Sequence, residues 1–325
     1  MVEEFIKKRA FFFCTRRGNL YFWDIHTADC SIINRENLLS VYIVLSVCKN
    51  PLFLYYKPMN KNLLLTIEEY EALPGTIKGQ VPYIYSLDKD GQSLFYFGAK
   101  HVMDPKHPEI EFLHEQWLNF LKDKPKEKTV VIYEGNVNEK GLTTLEEAVK
   151  NYGESGAIVF WANQANVQSV RPEPKIEDEA NELLKKFSKE EIFYFYMIRG
   201  VATWQRKVDP EDFNDFILRN AKRYKEALGW EDFNFAFDPT VLEVHRKIFG
   251  KEFDLSDTDF IRNISIPIGN LSVITDIARM SSLGRNFAIL DSIGKFWEEG
   301  KNIFVVYGAS HAIMQERAIR NMVEA

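Results

Sequence analysis

The chain has 325 residues, 46% hydrophobic and 14% aromatic. That is ample material for a buried core, and it excludes a disordered or fibrous chain. Twelve prolines and 17 glycines rule out a collagen-like repeat, and a net charge of −6 argues against nucleic acid as a partner, because phosphate backbones call for a basic surface.

Residues 1 to 58 read as an N-terminal appendage. They hold all three cysteines, Cys14, Cys30 and Cys48, so neither a disulfide framework nor a cysteine-based zinc site serves the rest of the chain. Their pattern supports either a small β-rich extension, with Asn19 to Trp23 as one strand, or translated sequence upstream of a natural start at Met59. The apolar run Leu38 to Cys48 is too short to cross a bilayer and is interrupted by Lys49, Asn50 and Pro51. With no clear signal peptide and no spanning helix, a cytoplasmic location is the expectation. Oligomeric state has no legible signal.

From 59 to 325 the pattern predicts an α/β domain with a central, mostly parallel sheet flanked by helices. Tyr83 to Leu87 and Ser93 to Phe97 flank the turn-forming Asp88-Lys89-Asp90-Gly91 and read as a hairpin. Thr129 to Tyr133 and Ile303 to Tyr307 are continuous β-branched and aromatic runs, as in strands buried on both faces. Val167 to Val170 reads as a further short strand. Among helices, Ser188 with Glu191 forms a capping box for a segment running to about Arg206. Asp209-Pro210 supplies an N-cap and first-turn proline for an apolar face through Phe213, Phe216, Ile217, Ala221, Tyr224 and Leu228. Ser272 to Trp297 contains a third helix leading to the last strand.

The sharpest local feature occurs twice: an apolar strand running into aromatic-Gly-Ala-x-His, at Phe97-Gly98-Ala99-Lys100-His101 and at Tyr307-Gly308-Ala309-Ser310-His311. Composition alone would place about 0.3 Gly-x-x-His matches in the chain, so chance explains the pair poorly. Glycine at a strand end lets the backbone turn without a Cβ, and alanine keeps the corner small. Each histidine is thereby delivered to the carboxyl edge of the sheet, where open α/β sheets bind ligands. Glu134 follows the Thr129 to Tyr133 strand, where a buried carboxylate needs a metal or a cation opposite it. Two imidazoles and a carboxylate at one edge are a candidate metal set.

Weaker candidates flank this set. His107 and His114 follow His101 but fall on a helix opened by Pro108, whose charged face would hold both in solvent. Glu173, in Arg171-Pro172-Glu173-Pro174, is placed to meet a cation or Arg285, or to serve as plain loop. Glu177-Asp178-Glu179 reads as a solvated helix start. His26 and His245 have no supporting constellation.

The two Gly-x-x-His elements, the glutamate after a strand between them, and Arg285-Asn286 in a helix before the second element resemble the TraB/TIKI/GumN family over roughly residues 80 to 320. That family lies within a broader group that includes erythromycin esterases and ChaN-like haem-uptake proteins. The resemblance implies an α/β fold with its site on the sheet edge and, for the TIKI branch, a peptidase dependent on a divalent metal, manganese or cobalt by preference and zinc as a further option. By position it assigns His101, Glu134 and His311 to the metal, with Glu134 as ligand or general base, Arg285 stabilising an oxyanion and Asn286 orienting ligand or substrate. The expected function is a metal-dependent hydrolase, a TIKI/TraB-like peptidase acting through a metal-activated water, with a peptide or small ester as substrate. The alternatives are a ChaN-like protein binding haem or another small ligand, and an esterase of the erythromycin-esterase kind.

Overall fold

Three strands alternate strictly in which core they feed, and that alternation builds the domain. Leu94 and Tyr96, Val130 and Ile132, and Ile303, Val305 and Tyr307 pack into one apolar cluster; Phe97, Val131 and Tyr133, and Phe304 and Val306 pack into another. A period of two with both faces buried requires helices on both sides of the sheet. The computed structural model describes residues 11–16, 19–24, 30–34, 42–44, 60–269 and 272–324, and the chain divides into two compact units, 1–58 and 59–325.

In the first unit, strands β1 (Phe11–Arg16), β2 (Asn19–Asp24), β3 (Cys30–Asn34) and β4 (Tyr42–Val44) form an antiparallel sheet in the order β3-β2-β1-β4. Phe11 stands opposite Asp24 and Arg16 opposite Asn19. His26 and, apart from β4, the run from Leu38 to Cys48 lie outside the described residues.

In the second unit, β5 (Tyr83–Lys89), β6 (Gln92–Ala99), β7 (Thr129–Tyr133), β8 (Gln168–Val170) and β9 (Asn302–Gly308) lie in the order β5-β6-β9-β7-β8. Only the β5–β6 pair is antiparallel. The fold is therefore α/β with a mostly parallel sheet, and the expected hairpin is present. Its two linking residues, Asp90 and Gly91, have φ of 53° and 80°, the doubly left-handed turn that matches strand twist.

Helices α1 (Ile67–Ala72) and α2 (Gly75–Lys78) precede the sheet. Helices α3 (Pro108–Leu121) and α4 (Leu145–Ala165) cover the face carrying Phe97, Val131 and Phe304, using Leu113, Trp117, Val149 and Ile158. A helical layer follows: α5 (Ile176–Leu183), α6 (Lys189–Trp204), α7 (Phe213–Leu228), α8 (Leu242–Phe249) and α9 (Thr258–Ile264). Its own core centres on Phe193, Phe195 and Ile198. Helix α10 (Val273–Glu298) and α11 (Ala309–Glu324) cover the opposite sheet face through Ile289, Ile293, Ala312 and Ile319.

Ser188 and Glu191 form the expected capping box, and Ser272 caps α10. One helix start differs from expectation. Asp212 rather than Asp209 caps α7, accepting from the N–H groups of Asn214 and Asp215. The carboxylate nearest the first apolar residue closes the turn, which leaves Pro210 outside the helix. Among the described residues no helix is long and apolar enough to cross a membrane.

Candidate functional site

All four parallel strands end toward one edge, and each is followed within a few residues by a group of the site: His101 after β6, Glu134 after β7, Glu173 after β8 and His311 after β9. The helices that follow β6 and β9 go to opposite faces of the sheet. A crevice opens where neighbouring strands send their connections apart, which is where open α/β sheets bind ligands. A cavity of about 420 Å³ lies there, lined by His101, Glu134, Arg285 and His311 and bounded on the far side by α6 and α9.

The two glycines of the repeated motif act by close approach rather than by turning the chain. Neither has a positive φ; the left-handed residue is His101, at 71°. A Cβ on Gly308 would collide with His101 Nε2, and one on Gly98 would lie 2.7 Å from Tyr83 O and 2.9 Å from Ala312 Cβ. Since Ala99 is in register with Gly308, each glycine makes room for what the other motif delivers. Gly98 admits the first turn of α11, which carries His311, and Gly308 admits the ring of His101.

The unusual conformation of His101 is held from both sides by buried acids. Glu109, in the first turn of α3, accepts from Lys100 N–H at 2.8 Å, and Glu154 accepts from Val102 N–H at 2.7 Å. Glu154 comes from α4 just after a break at Gly153 (φ 61°). Burial first, and then the adjacent Glu109, raise Glu154 to about 8. Its surroundings therefore favour the protonated, uncharged form.

Glu134 sits at the centre. Its Oε2 lies 3.8 Å from His101 Nε2 and accepts from Gly308 N–H at 2.8 Å, while Oε1 accepts from Arg285 Nη1 at 3.0 Å. Burial alone would raise its pKa, but the two imidazoles, the Arg285 guanidinium and the Gly308 N–H together hold it well below the usual carboxylate range. Arg285 also donates to Glu173 Oε1 at 3.2 Å, and Glu173 Oε2 accepts from Gly135 N–H and Arg171 Nε. Of the roles open to Glu173, pairing with Arg285 is the one seen. Burial by itself would lower the Arg285 pKa, yet Glu173, Glu134 and Glu179 raise it above the ordinary arginine value.

His311 is buried and hydrogen-bonded through Nδ1 to Asn286 Oδ1 at 2.7 Å. The same oxygen accepts from Gln315 Nε2 at 2.6 Å, and Gln315 Oε1 accepts from Tyr96 OH at 3.1 Å. Since Oδ1 can only accept, Nδ1 carries the proton and Nε2 keeps its lone pair for the cavity. Burial, with Arg285 second, lowers His311 to about 4, and His101 is lowered chiefly by burial as well. Two-fifths of the His101 side chain is exposed, and the residue lines the cavity. Asn286 is fully buried and does not line the cavity. It orients His311, where the resemblance has it orient ligand or substrate.

These donors do not form a metal site as they stand. Among the described residues no three His, Cys, Asp or Glu side chains are grouped so as to hold an ion. Both oxygens of Glu134 already accept hydrogen bonds, one of them from a guanidinium.

The weaker candidates have structural roles. His107 caps α3 by accepting from Glu109 N–H, and His114 stacks on Trp161 at 4.4 Å; both are half-buried instead of solvated. His245 bonds Tyr194 OH at 2.7 Å among Phe249, Phe253 and Phe260. Glu177 and Asp178 are exposed in the first turn of α5, whereas Glu179 is half-buried and accepts from Tyr196 OH at 3.0 Å. Sequence reasoning passed over Glu109, Glu154 and the cavity arginines Arg199, Arg206 and Arg262. No motif in the sequence marks them.

The class defined by this geometry is an α/β protein with a cavity bearing two histidines, a glutamate and arginines at a topological switch point. No family model, curated protein or solved structure matches the chain.

Proposed function

We propose that the cavity is a hydrolytic active site in which His101, backed by Glu134, activates water against a carbonyl of a small ester or peptide. A water between the two histidines donates its hydrogens to their lone pairs. As its oxygen attacks the carbonyl carbon, one proton passes to His101, and the ionised Glu134 stabilises the imidazolium that forms. The oxyanion develops toward Arg285, and His101 returns the proton to the leaving group.

The observation that carries this reading is the 3.8 Å approach of His101 to an ionised Glu134 on the wall that also bears His311. Both imidazoles are held toward the uncharged form, which leaves nitrogen lone pairs to accept hydrogen bonds from water, and the ionised Glu134 supplies the charge that offsets an imidazolium formed at His101. Of the residues that carry the likeness to TraB/TIKI/GumN proteins, His101, Glu134, Arg285 and His311 take part in this scheme and Asn286 orients His311; that likeness favours hydrolysis as the reaction class. No step here is routed through a metal.

The test is hydrolysis of a panel of chromogenic esters and peptides by chelator-treated protein, with and without added manganese, cobalt or zinc. His101→Ala and Glu134→Gln should each lower the rate at least about a hundredfold with unchanged circular dichroism. Absence of hydrolysis under every condition, or full activity in His101→Ala, would overturn the proposal. A rate that appears only with added metal would replace acid–base activation of water with the metal-dependent route.

A further inference from the structure

Three of the arginines that line this cavity have no use in the chemistry described above. Arg199 comes from α6, Arg206 from just beyond its end and Arg262 from α9; all three line the same cavity as His101 and Glu134. Among the described residues Arg199 and Arg206 have no carboxylate within salt-bridge distance. Arg262 has only a solvent-exposed contact with Asp259 at 3.8 Å, which contributes little. Arg206 donates to Thr203 Oγ1 at 3.2 Å, a neutral partner that leaves its charge uncompensated.

The charge balance is lopsided. The cavity is lined by four arginines; Arg285 is already paired with the carboxylates of Glu134 and Glu173, which leaves Arg199, Arg206 and Arg262. Burial favours the uncharged forms of Glu154 and of both histidines, so these three arginines make the cavity positive inside a chain whose net charge is −6. Partial loss of hydration first, and then the charges of Arg199 and Arg262, lower Arg206 from the ordinary arginine value against the pull of the Glu134 carboxylate. Guanidinium groups gathered in this way oppose one another until an anion joins them.

We propose that Arg199, Arg206 and Arg262 bind an anionic group, carboxylate or phosphate oxygens, on the substrate of this site, so that the bond to be cleaved is presented to His101 and Glu134. The inference rests on the cavity being the active site. It narrows the substrates to small molecules bearing a negative group a few bonds from the scissile carbonyl. The fork of an arginine matches two oxygens of a carboxylate or phosphate, and several such forks in one cavity fix orientation as well as affinity.

Binding can be measured without turnover, by calorimetry on the full chain at constant ionic strength, titrating inorganic phosphate in one arm and succinate in the other. Saturable binding of at least one is expected, and comparing the arms tells which oxyanion the arginines prefer. Arg206→Ala should weaken it about tenfold or more, and Arg199→Ala combined with Arg206→Ala should abolish it. Arg246→Ala, which removes an exposed partner of Glu252 away from the cavity, should leave it intact. Equal binding by wild type and the double variant, or no binding of either anion, overturns the inference. The two proposals fail separately: loss of anion binding with hydrolysis still dependent on His101 sinks this one alone. Retained anion binding with hydrolysis indifferent to His101→Ala sinks the catalytic reading alone.

Discussion

Replacing Glu154 tests whether His101 is held by a protonated, buried carboxyl. Glu154 is 3% exposed, accepts from Val102 N–H at 2.7 Å and neighbours the buried Glu109. Glu154→Ala removes the acceptor of a part-buried N–H, a loss of about 1–3 kcal/mol, and leaves a small cavity, for a total of about 2–4 kcal/mol. Glu154→Gln keeps an acceptor for Val102 and supplies an N–H donor where the protonated carboxyl has its O–H, so at pH 6 it should lie within about 1 kcal/mol of wild type.

The pH dependence has a definite sign. A glutamate raised from 4.5 to about 8 binds its proton more tightly in the folded chain than in the unfolded one. Its contribution to stability is complete below the unfolded value and declines as pH rises through this window, by at most about 1.4 kcal/mol per pH unit. In Glu154→Gln that decline should disappear, so the variant overtakes wild type by pH 9. Urea unfolding followed by tryptophan fluorescence at pH 5, 6, 7, 8 and 9 measures both effects. A glutamine variant as unstable as the alanine variant at pH 6, or one with the same pH slope as wild type, would refute the reasoning.

Gly308→Ala should lower hydrolysis about a hundredfold, because the added methyl displaces the His101 ring; steady-state rates beside circular dichroism check it. Gly98→Ala should instead show in the urea midpoint, at a cost of about 1–3 kcal/mol, since its Cβ would meet the backbone oxygen of Tyr83. Asn286→Asp keeps the acceptor for His311 Nδ1 and adds a negative charge, so an NMR titration should find His311 well above the wild-type value of about 4. Phe304→Ala, which empties a fully buried position on the central strand packed against Phe95, Trp117 and Phe120, should cost about 3–5 kcal/mol by urea unfolding.

Much of the architecture was legible in the sequence because it is set by local patterns. The Thr129 to Tyr133 and Ile303 to Tyr307 runs can only be strands buried on both faces, and the Asp90-Gly91 turn fixes the β5–β6 hairpin. The repeated Gly-Ala-x-His, with Glu134 after its own strand, announced a shared edge, because parallel strands end together. Tertiary structure decided the rest. It inserted β9 between β6 and β7, a pairing of residues some 200 positions apart on which local propensity has no bearing. That insertion brings Gly308 against His101 and turns the two glycines from presumed corners into mutual clearances. It also placed Asn286 under His311 rather than against ligand, and Glu109 and Glu154 beside the backbone of His101. Burial and proximity set the charge state of an acid or an imidazole, and both are properties of the assembled core.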